Sequence, residues 1–434
     1  MSFLANIAVR SARGRGAGRG WPPPPTTMSL RGDPDFDATS LPADQQTRLA
    51  TMKSLITGTH KSSSRDPFVM ANRDDTWWYA SDLRTNVMAQ MLALRVTGDL
   101  WFVDTICELG ELMYAKLDYP YRNVGVVGEG PCEFGGTPAT PGTNDGYLKW
   151  VQHQNATCEH KGTDLRVDYD LNAHTTFAMM TYVLHINRDL TSPKSYAYGT
   201  IADKWRDYMV NHFEAKLRAR NSKPTGFPIL SLSGGLEMPL QNDRYHGWMA
   251  WHYWMGKITG NAAYLDEAER MTSYWFGNTC TPSTGEGDAL VFQRNATGSE
   301  FGQDLSWTTY TEFVTQVMTD LHLEGFGEWA GSVHLQRFAR SFSQYLCDTA
   351  TPFDDGLARD IGGGEARCGW SASSTSRPRV SKFVYQNGLY GLVAPWDSTG
   401  KAATLNEQHR VWAAANDEDY TRILGIQMLE AGMA

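Results

Sequence analysis

The chain has 434 residues, of which 41% are hydrophobic and 12% aromatic, enough to form a large buried core. Its formal net charge is −9 at pH 7, and so acidic a protein has no general affinity for nucleic acid. No apolar run approaches the roughly 18 residues that a membrane-spanning helix requires, so we expect no membrane association.

The amino-terminal segment differs in composition from the rest of the chain. Residues 1–32 are rich in Arg, Gly and Pro and contain no acidic side chain, and such a segment buries too little apolar surface to fold. We therefore predict a disordered tail over residues 1–32 and a single domain over residues 33–434. A start site at Met28 and an Arg-rich organelle transit segment are the alternatives, and no clear secretory signal peptide is present.

The six cysteines form no close Cys-x-x-Cys pair, which argues against a zinc site or a redox motif. Cys107 lies in a helical pattern and is predicted to be buried. Four others lie in Gly-, Ser- and Thr-rich stretches, as in disulfide-stapled loops of exported proteins: Cys132, Cys158, Cys280 and Cys368. With glycosylation sequons at Asn155 and Asn295, this pattern favours a secreted or periplasmic protein.

Apolar residues recur three or four positions apart through most of the chain, which predicts amphipathic helices. A first helix is predicted over Leu41–Thr59. Two further helical patterns, within residues 83–94 and 102–113, flank the break Thr97-Gly98-Asp99. Gly98 would end the first of these helices and Asp99 would cap the second, so the stretch predicts a helical hairpin.

The same arrangement returns later in the chain, where Thr259-Gly260-Asn261 separates two helical patterns. Further helical patterns cover residues 173–184 and 201–212, then 313–321 paired with 335–346, and two weaker ones cover residues 381–393 and 417–428. About a dozen helices with almost no strand-like alternation predict an all-α fold, specifically an (α/α) toroid or incomplete toroid of about six or seven helical hairpins. Three long connections, residues 118–161, 278–303 and 348–379, would lie over one mouth of the ring.

Polar residues gather where three of the predicted inner helices begin, within residues 168–174, 242–246 and 304–310. Asn, His, Arg and Tyr without a convincing carboxylate pair favour β-elimination on a uronic acid polymer. Asn, Arg or protonated His would neutralise the uronate carboxylate and stabilise the enolate, while Tyr or His would move the C5 proton. Such a reaction requires no cofactor.

Over roughly residues 40–430 the chain resembles the toroidal polysaccharide lyases, especially the alginate and glucuronan lyases. The resemblance implies an anionic polysaccharide as substrate, Tyr310 as the proton-transferring residue, and His246 and Asn172 as the groups that neutralise the carboxylate or assist the base. Arg294 is a further catalytic candidate that would bind the acid group. Substrate binding would fall to Arg244, Asn242, His174, Trp77, Trp78 and Tyr245. These lyases often place Asn and His side by side, whereas three residues separate Asn242 from His246, which leaves the Asn partner of the His open.

Other interpretations use the same residues differently. Asp168, Asp170, Glu237 and Asp243 could serve a glycoside hydrolase or an unsaturated uronyl hydrolase. A non-catalytic, carbohydrate-binding helical scaffold is the third possibility. A bound divalent cation at His153, His160 and Asp164 is possible but matches no strong ligand spacing.

Each site candidate also has a structural interpretation. Asn172 could be a helix N-cap, and His246 and Tyr310 could be packed core residues. Trp248, Trp251 and Trp254 recur at helical spacing, which is typical of a core more than of a sugar-stacking surface. The sequence indicates no particular oligomeric state.

Overall fold

A computed structural model describes residues 28–58, 66–73, 76–120, 144–150, 167–216, 242–278, 280–282, 289–292, 308–343, 357–358, 379–380, 389–415 and 420–433. Within these ranges the chain is mainly helical, which confirms the all-α class. The helices are α1 (Ala43–Thr57), α2 (Pro67–Ala71), α3 (Thr76–Ala80), α4 (Asp82–Thr97), α5 (Leu100–Tyr114), α6 (Val167–Ile186), α7 (Tyr198–Tyr208), α8 (Asn242–Thr259), α9 (Ala262–Asn278), α10 (Thr308–Leu323), α11 (Val333–Ser341), α12 (Lys401–Ala415) and α13 (Thr421–Met433). Short 3₁₀ segments cover Ala38–Ser40, Gly327–Ala330 and Leu389–Trp396, and a π-helical turn, Met209–Glu214, continues α7.

Short antiparallel ribbons occur within the three long connections. Strands β1 (Asp118–Pro120) and β2 (Asn144–Lys149) pair in the first, β3 (Cys280–Pro282) and β4 (Leu290–Phe292) in the second, and β5 (Leu357–Ala358) and β6 (Arg379–Val380) in the third. Each ribbon has two strands, so none of the described strands belongs to a larger sheet. Where these connections lie relative to a mouth stays a prediction.

The two predicted helical hairpins are confirmed in detail. Gly98 follows α4 with φ 72°, the left-handed conformation that glycine adopts most readily, and its N–H bonds to the Leu94 carbonyl. The Asp99 carboxylate then caps α5 by accepting from the Trp101 N–H at 3.0 Å. At the second break Gly260 has φ 69°, and the Asn261 side chain accepts from the Ala263 N–H at 3.1 Å.

Six segments contact one another in cyclic order. Helix α4 packs against α6, α6 against α8, and α8 against α10. Helix α10 contacts the 3₁₀ segment Leu389–Trp396, which contacts α13, and α13 returns to α4. Four further helices pack against the segment next to them in the chain: α5 on α4, α7 on α6, α9 on α8, and α12 on the 3₁₀ segment. The predicted toroid and its number of hairpins stay predictions.

Contacts between side chains show that α4, α6, α8 and α10 run in the same direction. Arg84 in the first turn of α4 hydrogen-bonds to Asn172, the sixth residue of α6, and to Gln316 at the middle of α10. At the opposite end, Glu324 just after α10 binds Arg95 of α4. Glu324 also accepts from the hydroxyls of two tyrosines in the C-terminal halves of α6 and α8, Tyr182 at 3.3 Å and Tyr253 at 3.1 Å.

Helices α4 and α13 approach closely at a glycine. A Cβ added at Gly425 would lie 2.8 Å from the Ala89 carbonyl oxygen and 3.0 Å from its Cα, so backbone would have to move. We expect Gly425→Ala to lower the free energy of unfolding by about 1–3 kcal/mol, measured by urea denaturation. Gly432→Ala on the same helix is the control, because its Cβ would meet only side-chain atoms, at 3.2 Å or more. Equal stability of the two variants would contradict this packing.

One sequence prediction requires correction, and one helix was missed. Residues 28–32, assigned to the disordered tail, pack on the folded part: Leu30 is buried, the Gly32 N–H donates to Asn187 Oδ1 at 2.7 Å, and Arg31 pairs with Asp189. The folded part therefore includes them. The sequence also gave no helix at Lys401–Ala415, because its buried positions include small and polar residues instead of a run of large apolar ones.

Large aromatic residues form much of the core. Trp248, Trp251 and Trp254 are 0–1% exposed, which confirms their interpretation as core residues. Cys107 is buried with a free thiol, as predicted, and burial raises the pKa of that thiol to about 12. The other cysteine side chains lie outside the described residues. In the part of the chain that is described, no helix has the length and apolarity to cross a membrane.

A buried acid, Asp320, lies on α10 between Gln316, which binds Arg84, and Glu324, which binds Arg95. Asp320 on α10 is 3% exposed, and burial raises the pKa of its carboxyl to about 7, against the opposing effect of Arg95 and Arg84. Glu324 also raises this pKa, whereas a hydrogen bond with Gln316 lowers it. A pKa raised on folding means that the folded state holds this proton more tightly than the unfolded chain.

The stability contributed by protonated Asp320 is therefore fully present below about pH 4 and lost as the pH rises through about 7. We expect Asp320→Asn to remove this dependence, so that the variant gains about 1–3 kcal/mol relative to the parent between about pH 5 and pH 8. Urea denaturation at each pH measures this difference. The exposed Asp35→Asn substitution controls for the loss of one negative charge. If the variant's gain in free energy of unfolding is the same at every pH between about 5 and 8, Asp320 is ionised in the folded state over that whole range.

Candidate functional site

The candidate site lies where α4, α6, α8 and α10 begin. We call the group formed there by Arg84, Asn172, His246, Gly247 and Gln316 the N-terminal cluster, because the first four lie in the first half of their helices and Gln316, at the middle of α10, binds Arg84. The chain positions them together because these helices are parallel and in contact.

Arg84 makes contacts to two other helices from the first turn of α4. Its side chain is fully buried, its Nη1 donates to Asn172 Oδ1 at 3.0 Å, and its Nε donates to Gln316 Oε1 at 2.9 Å. The guanidinium also lies over the Phe313 ring, 4.9 Å from the ring centroid. A cation buried in this way is held by charge-assisted hydrogen bonds and by an aromatic face.

Asn172 links α6 to α8. It is 3% exposed, and a Cβ built at Gly247 would lie 2.1 Å from its Oδ1, so the Asn172 amide occupies the space that any larger residue at 247 would take. The Thr175 hydroxyl reinforces this contact by donating to the Gly247 carbonyl at 2.7 Å. Asn172 lies inside α6 instead of at its start, so the N-cap interpretation is wrong.

His246 precedes Gly247 and is fully buried. Its ring lies perpendicular to that of Trp275, with 4.6 Å between centroids, and 6.3 Å from Trp329. The structure therefore brings the predicted His246 and Asn172 to adjoining turns of neighbouring helices, through the contact of Asn172 with Gly247. No role of either residue follows from this placement alone.

His174 and Tyr245 have different surroundings. His174 Nε2 lies 2.8 Å from the Tyr208 hydroxyl, and the His174 ring stacks on Phe213. The Tyr245 hydroxyl donates to the Met271 carbonyl at 2.8 Å, and burial raises the pKa of that hydroxyl. Both side chains are thus held in the core, and their role in substrate binding stays a prediction.

The remaining predicted residues are described in part. Trp78 is half-buried, and the Arg73 guanidinium lies 4.1 Å from its ring centroid. Tyr310 lies in the first turn of α10, at the same end as the N-terminal cluster. Arg294, Glu237 and the cation candidates lie outside the described residues, as do the side chains of Tyr310, Trp77, Asn242, Arg244, Asp168, Asp170 and Asp243. The described residues include no group of three His, Cys, Asp or Glu able to hold a metal ion.

Sequence reasoning missed Arg84 and Arg422. Arg84 lies in the first turn of α4 and Arg422 in that of α13, where its Nη1 lies 3.4 Å from the Thr85 hydroxyl. The signal was available for Arg84, because α4 belongs to the clearest hairpin and its first turn is polar. Both guanidinium groups therefore lie in the first turns of their helices.

Comparisons with known proteins give one structural likeness. No family model and no curated protein sequence matches the chain. A solved structure of a polysaccharide lyase matches with a TM-score of 0.40 and 10% identity, covering 89% of this chain and 97% of that one. At this similarity the likeness carries no argument about the reaction of this chain.

Proposed function

We propose that this protein is a polysaccharide lyase that cleaves a uronic-acid-containing polysaccharide, of the alginate or glucuronan type, by β-elimination. The observation that carries the proposal is the convergence of Asn172, Arg84 and the His246–Gly247 turn where four parallel helices begin. This arrangement supplies an amide donor, a buried cation and an imidazole beside helix N-termini, which is the chemistry required around an anionic substrate.

In the proposed reaction the carboxylate of the uronate binds at the N-terminal cluster. Hydrogen bonds from the Asn172 amide and the positive potential of this end stabilise the negative charge that develops when the C5 proton leaves. Tyr310, in the first turn of α10, exchanges protons with C5 and with the departing O4 oxygen, and His246 assists. The C4–O4 bond breaks as the C4–C5 double bond forms, so no water is consumed.

Absorbance in the near ultraviolet tests the proposal, because the new double bond is conjugated with the carboxylate. The protein is incubated in turn with alginate, glucuronan, pectate and hyaluronan, and we expect absorbance to rise on one of them. Tyr310→Phe should lower that rate about 10²- to 10⁴-fold, the usual size of a general acid–base contribution. Tyr196→Phe, in the segment between α6 and α7, is the matched control and should retain the rate. New reducing ends without absorbance would indicate hydrolysis instead.

We also propose that the reaction requires no cofactor or bound cation and that the protein is exported. A chelator should then leave the elimination rate unchanged, and cell fractionation should place the protein outside the cytoplasm. Activity that returns only when a divalent cation is added back would contradict the first of these proposals.

A further inference from the structure

The orientation of the Asn172 amide is determined by Arg84. A guanidinium has only donors, so the group that faces Arg84 Nη1 at 3.0 Å must be the amide oxygen of Asn172. The same oxygen faces Gly247, where a side chain would displace it. Among the described residues the Nδ2 group of Asn172 donates no hydrogen bond, so it is the donor left for a ligand.

Arg84 itself is held in place by the neighbouring helices. Its Nε donates to Gln316 Oε1 at 2.9 Å, and the Phe313 ring covers the guanidinium. Since Arg84 is 0% exposed, it does not reach a polymer directly. Its charge also polarises the Asn172 amide, because withdrawing electron density at the oxygen makes the N–H groups stronger donors.

We infer that Arg84 is a positioning residue that fixes the Asn172 amide with its NH₂ group directed toward the uronate carboxylate. The inference rests on the proposed function, which it deepens by assigning the carboxylate donor and the residue that aims it. Without Arg84 the Asn172 amide can rotate and turn its oxygen toward the uronate carboxylate. The two groups then repel each other, because both carry negative charge on oxygen. Arg84 therefore acts through Asn172 and should affect the elimination step more than substrate binding.

The first experiment reports on the amide without requiring a substrate. Asn residues are labelled with nitrogen-15, and the Asn172 side-chain NH₂ signals are identified by their absence in Asn172→Ala. Arg84→Met keeps side-chain length but removes the charge and the donors, and it should shift these signals and speed their exchange with water. Arg95→Met, a buried arginine near the other end of α4, is the matched control and should leave them in place. Unchanged Asn172 signals in Arg84→Met would overturn the inference.

The second experiment is a double-mutant cycle on the polymer that the enzyme cleaves. Arg84→Met should lower kcat by about 10²-fold with KM nearly unchanged, because the lost stabilisation belongs to the transition state. The double variant Arg84→Met/Asn172→Ala should be no slower than Asn172→Ala alone. Independent losses that multiply would overturn the inference. If no polymer is cleaved but the NH₂ signals respond as expected, the proposed function fails while the orientation of Asn172 by Arg84 stands.

Discussion

Replacing Gly247 with Ala is expected to abolish most of the activity and to lower the free energy of unfolding by about 1–3 kcal/mol. The added Cβ would lie 2.1 Å from Asn172 Oδ1, closer than nonbonded atoms can approach. Either the Asn172 amide turns away, breaking its bond to Arg84, or α6 and α8 separate and the Thr175 hydrogen bond to the Gly247 carbonyl lengthens. A misplacement of about 1 Å in a catalytic group commonly costs on the order of 10²-fold in rate.

The comparison variant is Gly277→Ala, near the end of α9, where an added Cβ would meet no atom within 4 Å. Alanine is the better helix former, so this change should be neutral or stabilising by up to about 1 kcal/mol. Urea denaturation and the initial rate of double-bond formation measure the two effects separately. If Gly247→Ala is as active and as stable as Gly277→Ala, the contact between Asn172 and Gly247 does not exist as described.

The second large effect is expected at the opposite end of the helices, from Glu324→Gln. Glu324 binds the buried Arg95 and accepts the hydroxyls of Tyr182 and Tyr253, so the substitution leaves a buried cation without its counter-charge. Breaking a buried ion pair from one side commonly costs about 3–5 kcal/mol. Arg95 also donates to the Met28 carbonyl at 2.8 Å, so the segment before α1 should loosen as well.

Glu407→Gln is the matched control, since its pair with Arg410 lies at the surface, where such pairs contribute about 0–1 kcal/mol. Thermal and urea denaturation give the loss of stability, and limited proteolysis reports on residues 28–32. The expected order is a large loss for Glu324→Gln and a small one for Glu407→Gln. Equal and small losses would mean that the Arg95–Glu324 pair is solvated.

Sequence reasoning gave the helices with clear boundaries and apolar periodicity. The hairpin at Gly98 and its copy at Gly260 could be predicted because glycine stops and side-chain caps depend on local residues alone. The helix Lys401–Ala415 could not be predicted, because its buried face includes Asn406 and His409. These polar residues are buried only by packing against other parts of the chain. The packing of residues 28–32 likewise depends on partners far along the chain, such as Asn187.

For the candidate site, the sequence indicated which helix ends to inspect but not which residues meet. In the structure the residue after His246 touches Asn172, and the roles predicted for these two residues stay predictions. The hydrogen bond from Arg84 to Asn172 needs helices α4 and α6 side by side, a contact over 88 residues of chain that no local pattern encodes. His174 contacts Tyr208 instead of Arg84 for a simpler reason, because side chains two residues apart on a helix point to different sides.

The most direct test of the central claim is the mass of the products formed in water labelled with heavy oxygen. Elimination breaks the C4–O4 bond without adding water, so we predict unsaturated oligosaccharides that are lighter than the corresponding hydrolysis products by one water. They carry no label when the reaction is stopped before reducing ends exchange oxygen with water. Asn172→Ala and Tyr310→Phe should form these same products far more slowly. Products that carry the heavy oxygen and lack the double bond would contradict the account and assign hydrolysis to this chain.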